Sequence, residues 1–262
     1  MKGYSITIIG GFDRDGIKEK VNKVELEMGD IVSIVGPTGC GKTTLISDIE
    51  MFANENTPSR RKILIDGEFQ SEDTIFDPSK NPISLITQHT NFLSDLPVKE
   101  FLLTHTMIRK SGDAETIIRE TLEFANQLTG EPVIQDSAMT ELSGGQTRAL
   151  LIADAVIIGN SPIILLDEIE NAGINRTKAL ELLRKYRKIF VFVTHDPRIA
   201  LLSDFRIVMS NGAMQKVIYS NGEEKKAADK IKKLDDIYAE CRRKIRLGEV
   251  ISEHDIIFNE GI

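Results

Sequence analysis

Several absences narrow the possibilities for this chain. Two cysteines, Cys40 and Cys241, are too few for a disulfide framework and predict a reducing, cytosolic setting. The longest apolar runs, Ile31 to Val35 and Pro162 to Leu166, are far short of the roughly 20 residues that cross a bilayer, so no direct membrane insertion is expected. The opening MKGYSITIIGGFDRDG returns to charge soon after a short apolar stretch, so it does not read as a signal peptide. Positive charge is in deficit: 33 Lys and Arg stand against 40 Asp and Glu, a net charge of -7. Such a field repels nucleic acid, and none is expected as a partner. The 262 residues are 41% hydrophobic and 28% charged, which is ordinary for a globular chain and argues against overall disorder.

Periodicity predicts strands at 4–9, 24–27, 31–35, 62–65 and 84–87, with Met28-Gly29-Asp30 and Asp66-Gly67 as turns. The run at 31–35 is apolar throughout, as suits a strand covered on both faces of a parallel sheet. A helix is expected from Thr43 to Phe52. Between about 91 and 140 the spacing turns helical, with candidates at Val98–Arg109 and Glu115–Leu128, and reads as a helical insertion. Strands return at 163–166 and 189–194, with helices at about 145–158 and 176–187, so a mainly parallel α/β sheet follows. A closing hairpin is expected at 206–209 and 214–218, split by Asn211-Gly212. Residues 224–247 read as a helix carrying Ile231, Leu234, Tyr238, Cys241 and Ile245 on one stripe. That stripe suits either packing on its own domain or docking and dimerisation.

Residues 36–44 read GPTGCGKTT, and Gly36, Gly41, Lys42 and Thr43 fit G-x-x-x-x-G-K-[ST]. Glycines allow the backbone to wrap a phosphate with its N–H groups inward. Lys42 adds a point charge near the β- and γ-phosphates, Thr43 offers a hydroxyl to Mg²⁺, and the helix that follows presents its N-terminus to the anion. The neighbouring Pro37, Thr38, Gly39, Cys40 and Thr44 complete the candidate nucleotide-binding loop. Cys40 is weighed both as a redox-sensitive thiol and as a plain loop residue. A second motif, IILLDE at 163–168, ends an apolar strand in two carboxylates. Asp167 is the candidate for the Mg²⁺ shell and Glu168 for polarising the attacking water.

A third motif decides the family. LSGGQ at 142–146, lying between the phosphate loop and the Asp-Glu strand, resembles the signature of ATP-binding cassette (ABC) ATPases, and the resemblance spans about residues 3–218. By itself Ser-Gly-Gly also reads as an ordinary helix cap. Gln88, in SLITQHT, resembles the family's Q-loop glutamine, which reaches Mg²⁺ and the attacking water. His195, in VFVTHD, resembles the switch histidine that contacts the γ-phosphate. Phe12 stands about where the family stacks an aromatic ring on adenine, with Tyr4 as the other candidate. The remaining histidines, His89, His105 and His254, have no metal-ligand spacing.

The resemblance implies a P-loop core with an antiparallel β edge and an inserted helical subdomain at about 91–145. The ATPase domain would occupy 1–218 and a C-terminal helical extension 219–262. It implies Mg-ATP hydrolysis in a head-to-tail dimer, with Ser143, Gly144, Gly145 and Gln146 completing the nucleotide site of the partner subunit, a second ABC ATPase chain. It also implies a cytoplasmic protein, or one peripheral at the inner face of the cell membrane through a separate permease. A soluble ATPase driving protein or metallocofactor assembly is the alternative. Two departures bear on that choice. The segment after Glu168 carries Ile174 or Asn175 where the family usually has aspartate. Ala149 and Asp154 stand where transport ATPases usually carry arginines.

Overall fold

The computed structural model describes residues 4–77, 80–87, 89, 90, 92, 94–109, 112–159, 161–168 and 176–253. Among them, two sheets share the strands. Strands β2 (Lys23–Glu27), β1 (Ser5–Ile9) and β4 (Lys62–Ile65) form a three-stranded antiparallel sheet in that order. The second sheet has six strands in the order β5 (Ile83–Thr87), β6 (Ile163–Asp167), β7 (Ile189–Val193), β3 (Ile31–Val35), β8 (Phe205–Ser210) and β9 (Ala213–Tyr219). The pairings from β5 through β8 are parallel, and β9 returns antiparallel to β8. β2 and β3, adjacent in sequence across Met28-Gly29-Asp30, therefore belong to different sheets. Asp66-Gly67 forms the expected hairpin-type turn, closed by reciprocal hydrogen bonds between Ile65 and Glu68. Both turn residues have positive φ, the returning arm is a single bridge at Glu68, and β4 takes β1 as its strand partner.

Strand side chains divide the core as their period of two requires. Phe190 and Phe192 of β7, with Ile164 and Leu166 of β6, face a cluster shared with the helices. Those helices are α3 (Val98–Arg109), α4 (Ala114–Leu128), α5 (Gly144–Ala153), α6 (Arg176–Leu183) and α7 (Pro197–Leu202). Val191 and Val193, with Leu165, face the other way, toward α1 (Lys42–Glu50) and the antiparallel sheet. Because both faces are covered, these strands read as unbroken apolar runs rather than alternating ones.

Four helical details differ from the periodicity. α1 stops at Glu50, because Phe52 takes a left-handed φ of 51° and turns the chain. α5 passes at Asp154 into a single π-turn, in which the Gly159 amide donates to the Asp154 carbonyl at 2.7 Å. The expected helix at 176–187 ends at Leu183 and continues as a turn. Two short helices, α2 (Glu72–Phe76) and α7, were not expected, because five or six residues carry too little periodicity to read.

The final helix, α8 (Gly222–Arg246), begins with an Asn221 cap on the Glu224 amide and is anchored through its first half. Ala228 is buried, Arg198 of α7 pairs with Asp235 at 3.2 Å, and Arg206 of β8 holds Glu224 through two hydrogen bonds. Those bonds pull the Glu224 carboxyl below its ordinary range. Packing on its own domain is thus correct for this half. The stripe residues Leu234, Tyr238 and Ile245 remain exposed.

A buried charge cluster ties the antiparallel sheet to the hairpin of β8 and β9. Arg61, fully buried, binds Glu19, donates to Asp48 Oδ2 at 2.7 Å and donates to the Gly212 carbonyl at 2.6 Å. Glu19 in turn accepts from the Gly11 and Met214 amides, and Asp48 accepts from the Ser59 hydroxyl. Removing the cation would leave two buried carboxylates uncompensated. Arg61→Leu should therefore lower the unfolding free energy by about 3–5 kcal/mol, read by urea denaturation.

Candidate nucleotide-binding site

Parallel register sets the site. Asp167, Val193 and Ile34 lie in one cross-strand row at the carboxyl ends of β6, β7 and β3. Each strand therefore hands its next residues to the same sheet edge, where ligands bind in open α/β folds. β3 delivers the glycine-rich loop, β6 delivers Asp167 and Glu168, and β7 delivers Thr194 and His195.

In the loop, Pro37, Thr38, Gly39, Thr43 and Thr44 are exposed, while Cys40, Gly41 and Lys42 are buried. Cys40 packs its thiol into the apolar cluster below. It is a packed loop residue whose backbone alone can serve a ligand. Lys42 Nζ donates to the Gly36 and Pro37 carbonyls at 3.1 and 3.2 Å, so the ammonium sits inside the curve of the loop. Thr43 is the second residue of α1, which Lys42 opens after the Gly41 cap. Its hydroxyl and the Asp167 carboxylate are hard oxygen donors of the kind Mg²⁺ prefers. Among the described residues there is no cluster of three or more His, Cys, Asp or Glu that would hold a metal by itself. Any ion here would also draw ligands from a bound phosphate or water.

Glu168 follows β6 with φ at 50°, a left-handed conformation that strains a residue with a Cβ. Its amide donates to the Val193 carbonyl at 3.0 Å, which holds the carboxylate beside the end of β7. His195 Nε2 lies 3.5 Å from Glu168 Oε1. His195 lines a cleft with Gly36, Thr194 and Asp196, so the histidine and the start of the phosphate loop share one wall. Asp196 itself caps α7 by accepting from the Arg198 amide, which gives this carboxylate a structural use.

Phe12 lies beyond the end of β1, and its neighbour Arg14 donates from Nη2 to the Gly39 carbonyl at 2.7 Å. The Phe12 ring is half-exposed, with the Arg60 guanidinium 5.8 Å from its centroid. Tyr4 sits at the opposite end of β1, beside the Asp66 turn. The fold thus brings Phe12, and not Tyr4, toward the phosphate loop. Ser143 and Gln146 form a reciprocal capping box on α5. Ser143 Oγ accepts from the Gln146 amide at 3.3 Å, and Gln146 Oε1 accepts from the Ser143 amide at 2.9 Å. The cap reading is therefore correct, and it leaves Gly144 and Gly145 as the first turn. Gln88 and the segment 169–175 lie outside the described residues.

Sequence reading missed the bracing of the loop. Arg14 accepts no motif, yet its amide donates to the Asn211 carbonyl, and Asn211 Nδ2 donates to Asp15 at 2.7 Å. The Gly212 amide donates to the Cys40 carbonyl at 2.8 Å. The hairpin turn Asn211-Gly212 thereby locks both the Phe12 segment and the phosphate loop. Asn-Gly signalled a turn; nothing in the sequence signalled where that turn docks. Gly41 has φ +100°, and a Cβ there would lie 2.8 Å from Gly212 Cα. Gly41→Ala should cost about 1–3 kcal/mol of stability, measured by urea denaturation.

Comparison with known proteins identifies the family. A family model described as ABC transporter matches residues 20–171. An uncharacterised ABC transporter ATP-binding protein of Methanocaldococcus jannaschii is 49% identical over 98% of both chains. The spermidine/putrescine import ATP-binding protein PotA of Bacillus cereus is 30% identical over 74% of this chain and 59% of its own length. Among solved structures, a dimeric ATP-binding cassette bound to ADP and phosphate superposes with a TM-score of 0.62 at 23% identity, covering 83% of this chain and 99% of the other. CbiO1 of Clostridium perfringens, part of a transporter complex, gives 0.62 at 21% identity, covering 95% and 100%. At those identities the two structures speak for the fold alone. On the family match and the full-length archaeal relative, the chain belongs to the ABC transporter ATP-binding proteins, with the P-loop ATPase fold of that family.

Proposed function

We propose that this chain hydrolyses Mg-ATP to ADP and phosphate as a head-to-tail dimer. The observation that carries the proposal is the single sheet edge at which the phosphate loop, Glu168 and His195 converge. The loop amides and Lys42 bind the β- and γ-phosphates, and Phe12 stacks on adenine. Thr43, Gln88 and Asp167 hold Mg²⁺, which when bound neutralises charge on the phosphate oxygens. Glu168 orients the attacking water and accepts its proton. His195 contacts the γ-phosphate through Nε2 and, being within reach of Glu168, couples the presence of that phosphate to the base. Gln88 also contacts the attacking water.

Ser143, Gly144, Gly145 and Gln146 act in trans. The N-terminus of α5 offers its amides to the nucleotide held by the other subunit. The ATPase unit ends at about residue 218, and residues from 219 form an extension. In this reading the chain powers a membrane transporter whose permease is a separate polypeptide, and it is held at the cytoplasmic face through that partner. The names of its archaeal and PotA relatives support the transport assignment.

Two substitutions test the reading. Lys42→Ala removes the ammonium from the phosphate site, and ATP affinity, measured by isothermal titration, should fall at least about tenfold. Retained affinity would remove the phosphate-loop assignment. Glu168→Gln should reduce turnover by about 10²–10⁴-fold while ATP still binds, and should trap an ATP-bound dimer on size exclusion. Undiminished turnover in that variant would end the role given to Glu168.

A further inference from the structure

We infer that α8 carries a second, lipid-facing surface that adsorbs directly on an anionic membrane, independently of the nucleotide site. The argument begins with which side of the helix is already in use. Ala228 is buried, and Asp235 reaches Arg198 of α7, so these residues mark the side that faces the body. At 3.6 residues per turn, the apolar residues lie elsewhere. Ile231, Leu234, Ile237, Tyr238, Cys241 and Ile245 fall on an arc about 120° wide, centred roughly 120° around the axis from the body-facing side. Along that arc Leu234 is 48% exposed, Tyr238 66% and Ile245 64%. The helix therefore spends one side on its own domain and, among the described residues, leaves a separate apolar side exposed at Leu234, Tyr238 and Ile245.

Charge placement identifies the occupant. Lys230, Lys233 and Lys244 fall along one margin of the arc and Arg242 along the other, whereas Asp229, Asp236 and Glu240 turn away from it. The last turn carries Arg243, Lys244 and Arg246, with Arg242 just before it, in a chain whose net charge is -7; Arg243 is paired with Glu240 and Glu249, so Arg242 and the lysines are the cations that border the arc. Arg242 also lies over the Tyr238 ring, 5.1 Å from its centroid, so cation and aromatic face form one unit. Just beyond the helix, Leu247 and Val250 are 62% and 90% exposed. An apolar arc bordered by cations, with acids on the far side, is complementary to a surface that is apolar within and anionic at its rim. An acidic bilayer interface has that chemistry. The arc is wider than the two-position seam of a coiled coil, and antiparallel pairing of two such helices would bring the lysine margins together. No helix of the described residues is long and apolar enough to cross a membrane, so the contact is adsorption in the plane of the interface.

The test is co-sedimentation of the full chain with vesicles. Neutral vesicles of phosphatidylcholine are compared with vesicles that include phosphatidylglycerol, at low and high salt. Binding should be at least about tenfold stronger to the anionic vesicles and should weaken as salt screens the cations. The combined variant Leu234→Ser, Tyr238→Ser, Ile245→Ser should lose most of that binding, and Lys233→Glu with Lys244→Glu should do the same. Both should keep the wild-type ATP affinity, which reports an intact body. Equal partition into neutral and anionic vesicles would overturn the inference, as would vesicle binding that neither variant reduces. A stripe variant that dissociates a dimer in analytical ultracentrifugation, while vesicle binding stays unchanged, would assign the surface to a second copy instead.

Discussion

The site depends on the parallel pairing of β3, β6 and β7. Parallel strands end at the same edge, so three stretches far apart in sequence deliver their polar residues to one line. The apolar sequences of the strands make this possible. Each is covered on both faces, by α1 and the antiparallel sheet on one side and by the helical layer on the other. Their burial fixes the register, because a slip of one residue would exchange the two faces of every strand. Once Asp167, Val193 and Ile34 share a row, the positions of Glu168, His195 and Gly36 follow within a residue or two.

Around that line the fold adds local strain and local bracing. Glu168 is held in a left-handed conformation, and its amide is fixed to β7. Strain of that kind persists only where the surroundings over-determine the backbone. The loop that holds Lys42 is braced from outside by Gly212 and by Arg14, and Arg61 secures the same hairpin turn from beneath. A loop built to wrap an anion has few contacts of its own. Its shape is kept by neighbours drawn from both ends of the chain.

The molecule also separates its surfaces by chemistry. The nucleotide edge presents amides, one lysine and two carboxylates. The far half of α8 presents apolar residues bordered by cations. The first half of α8 is joined to β8 by the Arg206–Glu224 pair and to α7 by Arg198, and α7 begins two residues after His195. α8 is thus attached to the element that follows His195, and no long linker intervenes.

The sequence by itself determined the family of this protein. The phosphate loop, the Asp-Glu strand end and LSGGQ are contiguous motifs, and each needs only local backbone geometry to be recognised. It also determined the parallel core, because doubly covered strands must be apolar throughout. It did not separate β2 from β3 into different sheets, since a short turn is compatible with either pairing. Nor did it distinguish the places of Phe12 and Tyr4, both aromatic and both near β1; the fold sets them at opposite ends of that strand, Phe12 on the side of the phosphate loop. The roles of Arg14, Arg61 and Gly212 were hidden for the same reason. Their partners lie tens to hundreds of residues away, and no local pattern encodes such a contact. For α8, the sequence set the stripe, and tertiary packing decided which side of the helix the body uses, because only packing determines what remains in water.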